Sequence, residues 1–148
     1  MTAELWLRLG EAVHGYLGWL TVAALLHPTI LLRRSGGTPR WAVRTALLLV
    51  TLAALGGATL YPWFRTEVRP ELFQRSRFIG WWFERKESLG VLAFTLAWAG
   101  GVSAWLASVP GPRSRVFRRT AALAFALSAA AAALTAAAGT ASRVMASF

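Results

Sequence analysis

Residues 45–63 read TALLLVTLAALGGATLYPW, nineteen positions without a charge. A helix crossing the hydrocarbon layer needs about 20 predominantly apolar residues, so this stretch is long enough to span a bilayer. Three similar runs accompany it. Residues 12–32 carry only His14 and His27 as ionisable groups, and residues 88–110 and 120–142 carry no charge. In lipid only helices or closed barrels satisfy their own backbone, and the alternating segments of a barrel are absent. The chain therefore reads as an all-α membrane protein, residues 1–148 forming a single membrane domain. Its fold class is four transmembrane helices in an antiparallel bundle.

The residues at the ends of the runs mark where the helices stop and turn. Thr38 reads as an N-cap with Pro39 at the first helical position of the second helix. Pro62 is expected to end that helix, and Pro110-Gly111-Pro112 the third. The first and third connections are short, which pairs their flanking helices antiparallel. The middle connection, 64–87, is longer and rich in aromatic residues, including Trp81, Trp82 and Phe83. It reads as a short amphipathic segment at the membrane interface. Met1-Thr2-Ala3-Glu4 lacks the basic start of a signal peptide, and the first apolar run is long for one, so the first helix is expected to persist.

Composition narrows the function. Hydrophobic residues make up 56% of the chain and cysteine is absent, which excludes thiolate metal sites, disulfides and cysteine nucleophiles. Net charge is +10, from fifteen arginines and one lysine against six glutamates and no aspartate. Such a balance would ordinarily raise nucleic-acid binding. The arginines crowd between the apolar runs, however, so a lipid bilayer is the expected partner and nucleic acid is not.

The first and third connections hold Arg33, Arg34, Arg40, Arg44, Arg113, Arg115, Arg118 and Arg119 and no acid. All six glutamates fall at the other end. Basic density therefore points the short connections to the cytoplasm of a bacterial cell, with both termini and 64–87 outside. Phosphate loops, nucleophile elbows and dinucleotide fingerprints are absent, which points away from an enzyme.

Thirteen of the 21 residues from Ala121 to Ala141 are alanine. Small residues let membrane helices approach closely. Gly56-Gly57 in the second helix and Gly100-Gly101 in the third are expected to supply facing flat patches for packing. The alanine-rich helix serves either a tight bundle or a contact with another protein or a second copy of the chain.

Ionisable groups at membrane depth are functional hypotheses by default. The antiparallel topology gathers Glu11, His14, Tyr61, Arg65, Glu84, Glu87, Arg143 and Met145 at one end. Glu11 and His14 are three apart, as are Glu84 and Glu87, so each pair shares a helix side. The plainest reading is interfacial ion pairing with Arg65, Arg85, Lys86 or Arg143. The chemical alternatives are proton exchange or a quinone headgroup at His14 and the carboxylates, or a metal held by His14, Glu84 and Glu87.

A haem held by two histidines needs one on each of two helices. Here His14 and His27 share the first helix, separated by about 20 Å of rise. Met145 or a second copy of the chain would have to complete the ligation. His27 reads as a helix-end polar residue or a second proton-exchange position.

These residues leave three functional expectations. The first is a non-enzymatic accessory or assembly subunit of a membrane complex, or a homo-oligomer. The second is a redox or proton-coupled protein with a haem, metal or quinone near His14, Glu84 and Glu87. The third is a small oligomeric transporter.

Overall fold

A computed structural model describes residues 3–34 and 37–146, with side chains described from Leu5 to Ala141 except at residues 35–36, Glu71, Arg75 and Ile79. Helix α1 is Ala3–Arg34, α2 is Arg40–Trp63, α3 is Arg69–Arg75, α4 is Arg77–Ala107 and α5 is Ser114–Ala146. Every regular element among the described residues is helical. Four of them, α1, α2, α4 and α5, are long and apolar enough to span a membrane.

Helices α1 and α5 extend past both ends of their charge-free runs and α2 and α4 begin before theirs, while α4 ends at Ala107, three residues short of Pro110. The cost of a charge in hydrocarbon sets the length of the run, and the helix continues into the polar interface where charge is tolerated. The correction is largest at α4, which begins at Arg77 and carries Glu84, Lys86 and Glu87 as part of a membrane helix. The connection before it therefore covers only residues 64–76. At the start of α2, Pro39 occupies the cap position and Arg40 the first helical one. The proline thus stands one residue earlier in the helix than the sequence suggests.

Pro62 lies inside α2 and does not end it. The helix passes directly into a π-helical turn, Phe64–Val68, and then into α3. Pro70 supplies a physical reason for the wider turn. It has no N–H to donate to the carbonyl four residues back, and its ring crowds that carbonyl. The N–H of Arg69 instead reaches the carbonyl of Phe64, five residues back. Within the turn, the Thr66 hydroxyl donates to the carbonyls of Trp63 at 3.1 Å and Pro62 at 3.3 Å. The segment then folds onto the start of α4, where Val68, Leu72 and Phe83 form a small core flanked by Trp63 and Phe64.

The spanning helices pack in the cyclic order α1, α2, α4, α5, each antiparallel to both neighbours, and α5 makes the broadest contacts, with α4 and then α1. Part of the alanine-rich face of α5 is packed within the chain itself. Ala121, Ala122, Ala124, Ala129, Ala131 and Ala138 are all buried. They let the neighbouring helices close around Phe125, which is completely buried with Leu25, Ala46 and Ala97.

The glycine patches do not face one another. A Cβ at Gly100 would stand 3.2 Å from the Phe125 ring, and one at Gly101 2.7 Å from Leu47 Cδ1. Those at Gly56 and Gly57 would meet His14. Each glycine thus seats a side chain from another helix, which is how a bulky group enters a bundle lined with alanine.

Buried hydroxyls are satisfied by backbone carbonyls. Thr29 Oγ1 donates to Leu25 within α1 at 2.9 Å, and Thr21 Oγ1 to Leu17 at 2.7 Å. Ser128 Oγ donates across the bundle from α5 to the Ala93 carbonyl of α4 at 2.7 Å.

Candidate functional site

At the end of the bundle where α1 begins, α1 carries Glu11 and His14 on one side of the helix. His14 stands nine residues inside the span that starts at Leu5, about 13 Å along the helix axis. Its imidazole lies against the glycine pair of α2. Cβ atoms at Gly56 and Gly57 would come within 3.2 Å of Nδ1 and 3.3 Å of Cε1 respectively. His14 Nδ1 is buried and has no hydrogen-bond partner among the described residues. An unpaired polar atom in such a place costs about 1–3 kcal/mol, so its retention calls for an explanation.

Across from it, α4 supplies Lys86. Its ammonium sits 3.4 Å from the centre of the Phe83 ring and 4.9 Å from that of Phe64. The two rings stack on each other at 4.1 Å and 8° between planes. A cation desolvated against an aromatic face gains about 2 kcal/mol. The charge of Lys86 acts on His14, on Glu11 and on Glu87. Four ionisable groups from α1 and α4 thus share this end of the bundle.

Sequence reasoning placed Lys86 among the ion-pairing residues and missed its central position. The available signal was its uniqueness, as the only lysine among sixteen basic residues. Assigning it to a connection hid that signal.

On the outer side of the Phe64–Phe83 pair lies a cleft of about 100 Å³, lined by Tyr61, Phe64, Arg65, Arg69, Phe83, Glu84 and Glu87. Phe64, Phe83 and Glu87 thus contribute both to the cleft and to the surroundings of Lys86. Glu84 is engaged at the cleft by Arg69, whose Nε donates to Glu84 Oε1 at 3.0 Å. That hydrogen bond and the carboxylate charge raise the Arg69 pKa above its ordinary value.

Among the described residues, no three histidine or carboxylate side chains stand close enough together to hold a metal ion. His14, Glu84 and Glu87 therefore do not form the ligand set the sequence suggested, since Glu84 is drawn to Arg69 in the cleft. The side chains of Arg143 and Met145 lie outside the described residues.

His27 is remote from this group. It is exposed near the other end of the bundle, with its ring edge-on to Trp41 at 4.7 Å between centres. The sequence-derived candidates thus divide three ways: Glu11, His14 and Glu87 around Lys86, Tyr61 and Glu84 in the cleft, and His27 apart. Comparison of the chain with protein-family models, curated proteins and solved structures finds no match.

Proposed function

We propose that this chain is a small non-enzymatic subunit of the bacterial cytoplasmic membrane whose polar end exchanges protons. It works beside an associated membrane protein or a second copy of itself. His14 is the exchanging group, Glu11 and Glu87 are the neighbouring carboxylates, and Lys86 is the neighbouring amine whose charge biases them. The observation that carries this reading is the buried Nδ1 of His14, which has no hydrogen-bond partner among the described residues and lies against the bare backbone of Gly56 and Gly57. An imidazole is suited to the role because it takes up and releases a proton near neutral pH. The concentration of acid-free arginine in the two short connections favours a cytoplasmic position for them, with the polar end outside.

The neighbouring readings receive less support. The cleft, at about 100 Å³, is smaller than the roughly 150 Å³ of an engineered cavity that holds benzene. A quinone ring or a haem would require the helices to part. A transport path within one chain would have to displace Phe125, Leu25 and Ala97 from a closed core, so a transporter would need a path between copies.

The test is nitrogen NMR of histidine-labelled protein in bilayers, with His27→Gln leaving His14 as the only labelled ring. The expected result is reversible protonation of His14 between about pH 5 and 8, with a midpoint that moves in Lys86→Met. A His14 spectrum that stays constant across that range overturns the proposal.

A further inference from the structure

At the opposite end of the bundle a cleft of about 430 Å³ opens between the last turn of α1 and the first turns of α5. Arg33, Arg115, Arg118 and Arg119 line it, together with Leu32, Ala122 and Leu123. Leu32 and Ala122 are buried, whereas Leu123 is exposed toward the apolar surroundings. Arg118 and Arg119 stand three and four residues after Arg115, so each is its neighbour on the surface of α5, and all three line the cleft.

This placement is electrostatically adverse for the isolated protein. The start of a helix carries the positive end of its dipole and favours acidic residues. The first turn of α5 has none, nor has that of α2, which starts at the same end of the bundle. Eight arginines fall between residues 33–44 and 113–119 without one carboxylate. No carboxylate of these segments offsets their charge, so an anion from outside the chain would stabilise this end.

We propose that this cleft binds an anion carrying two phosphate groups. Guanidinium forks match phosphate oxygens in paired hydrogen bonds, and four of them converge here. The cleft volume is many times the roughly 30 Å³ of a water molecule, giving room for more than one phosphate. Its position at a membrane boundary suits the headgroup of a two-phosphate anionic lipid, with acyl chains passing along exposed Leu123 and Leu127. A soluble diphosphate presents the same chemistry to the same arginines.

Two measurements test the site. The first is native mass spectrometry of protein released from zwitterionic bilayer discs doped with a two-phosphate anionic lipid. The second is calorimetric titration of inorganic pyrophosphate into lipid-free micelles. The wild type is expected to retain the lipid, and Arg115→Gln/Arg118→Gln/Arg119→Gln to retain it about tenfold less or worse. Arg65→Gln/Arg77→Gln/Arg85→Gln removes equal charge at the other end and is expected to retain it normally.

Pyrophosphate binding without lipid retention, lost in the same triple variant, would support the site and assign its phosphate to a soluble source. The triple variant should also melt higher than wild type in lipid-free micelles at low salt, because repulsion among neighbouring arginines is relieved. The proposal is overturned if the triple variant retains lipid and pyrophosphate as the wild type does. It is equally overturned if wild type binds neither.

Discussion

The imidazole of His14 lies over the bare backbone of Gly57, where a Cβ would stand 3.3 Å from Cε1 and 3.6 Å from Nε2. The site therefore depends on the absence of a side chain on α2 as much as on the histidine of α1. Leucine at position 57 should push the ring out, overpacking the contact by about 1–3 kcal/mol. Alanine should cost much less, because its better helix propensity, worth about 0.8–1.0 kcal/mol, offsets a displacement of a few tenths of an ångström. Unfolding midpoints in detergent should rank wild type and Gly57→Ala close together and Gly57→Leu well below, with the His14 NMR signal displaced in Gly57→Leu.

The core makes a complementary prediction. Phe125 fills the space among the alanines of α5, so Phe125→Ala should cost about 3–5 kcal/mol by leaving a cavity. Gly100→Leu attacks the same contact from the other side and should cost about 1–3 kcal/mol through overpacking. Denaturant titration in micelles measures both, and wild-type stability in either variant contradicts this packing.

The hydrogen bond from Ser128 to the Ala93 carbonyl joins α5 to α4 in the most buried part of the bundle. Interhelical hydrogen bonds in membranes contribute on average about 0.6 kcal/mol and at most about 1.7. Ser128→Ala should therefore lose an amount within that range in the same titration, without altering assembly. A loss of several kcal/mol would mean that the hydroxyl supports more than this one bond.

The four spans were legible in the sequence because a charge in hydrocarbon is costly, so the charge-free windows report the membrane directly. The helix ends were less so. Once the chain enters the interface, nothing in hydropathy stops a helix at Ser88 or requires it to start at Arg77. Pro62 looked like a terminator, yet helix continues through it and the backbone adjusts in the following π turn.

The site was half legible. Topology correctly grouped Glu11 and His14 with the start of α4 at one end. It did not show that Arg69 takes Glu84 into the cleft, or that Lys86 comes to lie against the Phe64–Phe83 pair. Those outcomes depend on the rotation of α4 about its axis, which four charge-free windows leave undefined. The glycines were correctly singled out, but their partners are side chains and not one another.

Arg69 and Glu84 join α3 to α4 at an exposed surface, where salt screens charge strongly. Arg69→Gln should loosen residues 64–76 without changing the stability of the bundle. Limited proteolysis should cut that segment faster in the variant, and high salt should bring the wild type toward the same rate. Equal cleavage under all three conditions would show that Val68, Leu72 and Phe83 alone hold the segment.

The central claim is that His14 exchanges protons with the aqueous phase at the end of the bundle where α1 begins. The most direct measurement follows the His14 signal in vesicles carrying the protein in one orientation, while pH is changed on one side of the membrane at a time. The account predicts that His14 responds promptly to pH on the side of residues 64–76 and lags behind a change on the arginine side. A signal unmoved from either side, or one that follows the arginine side first, contradicts it.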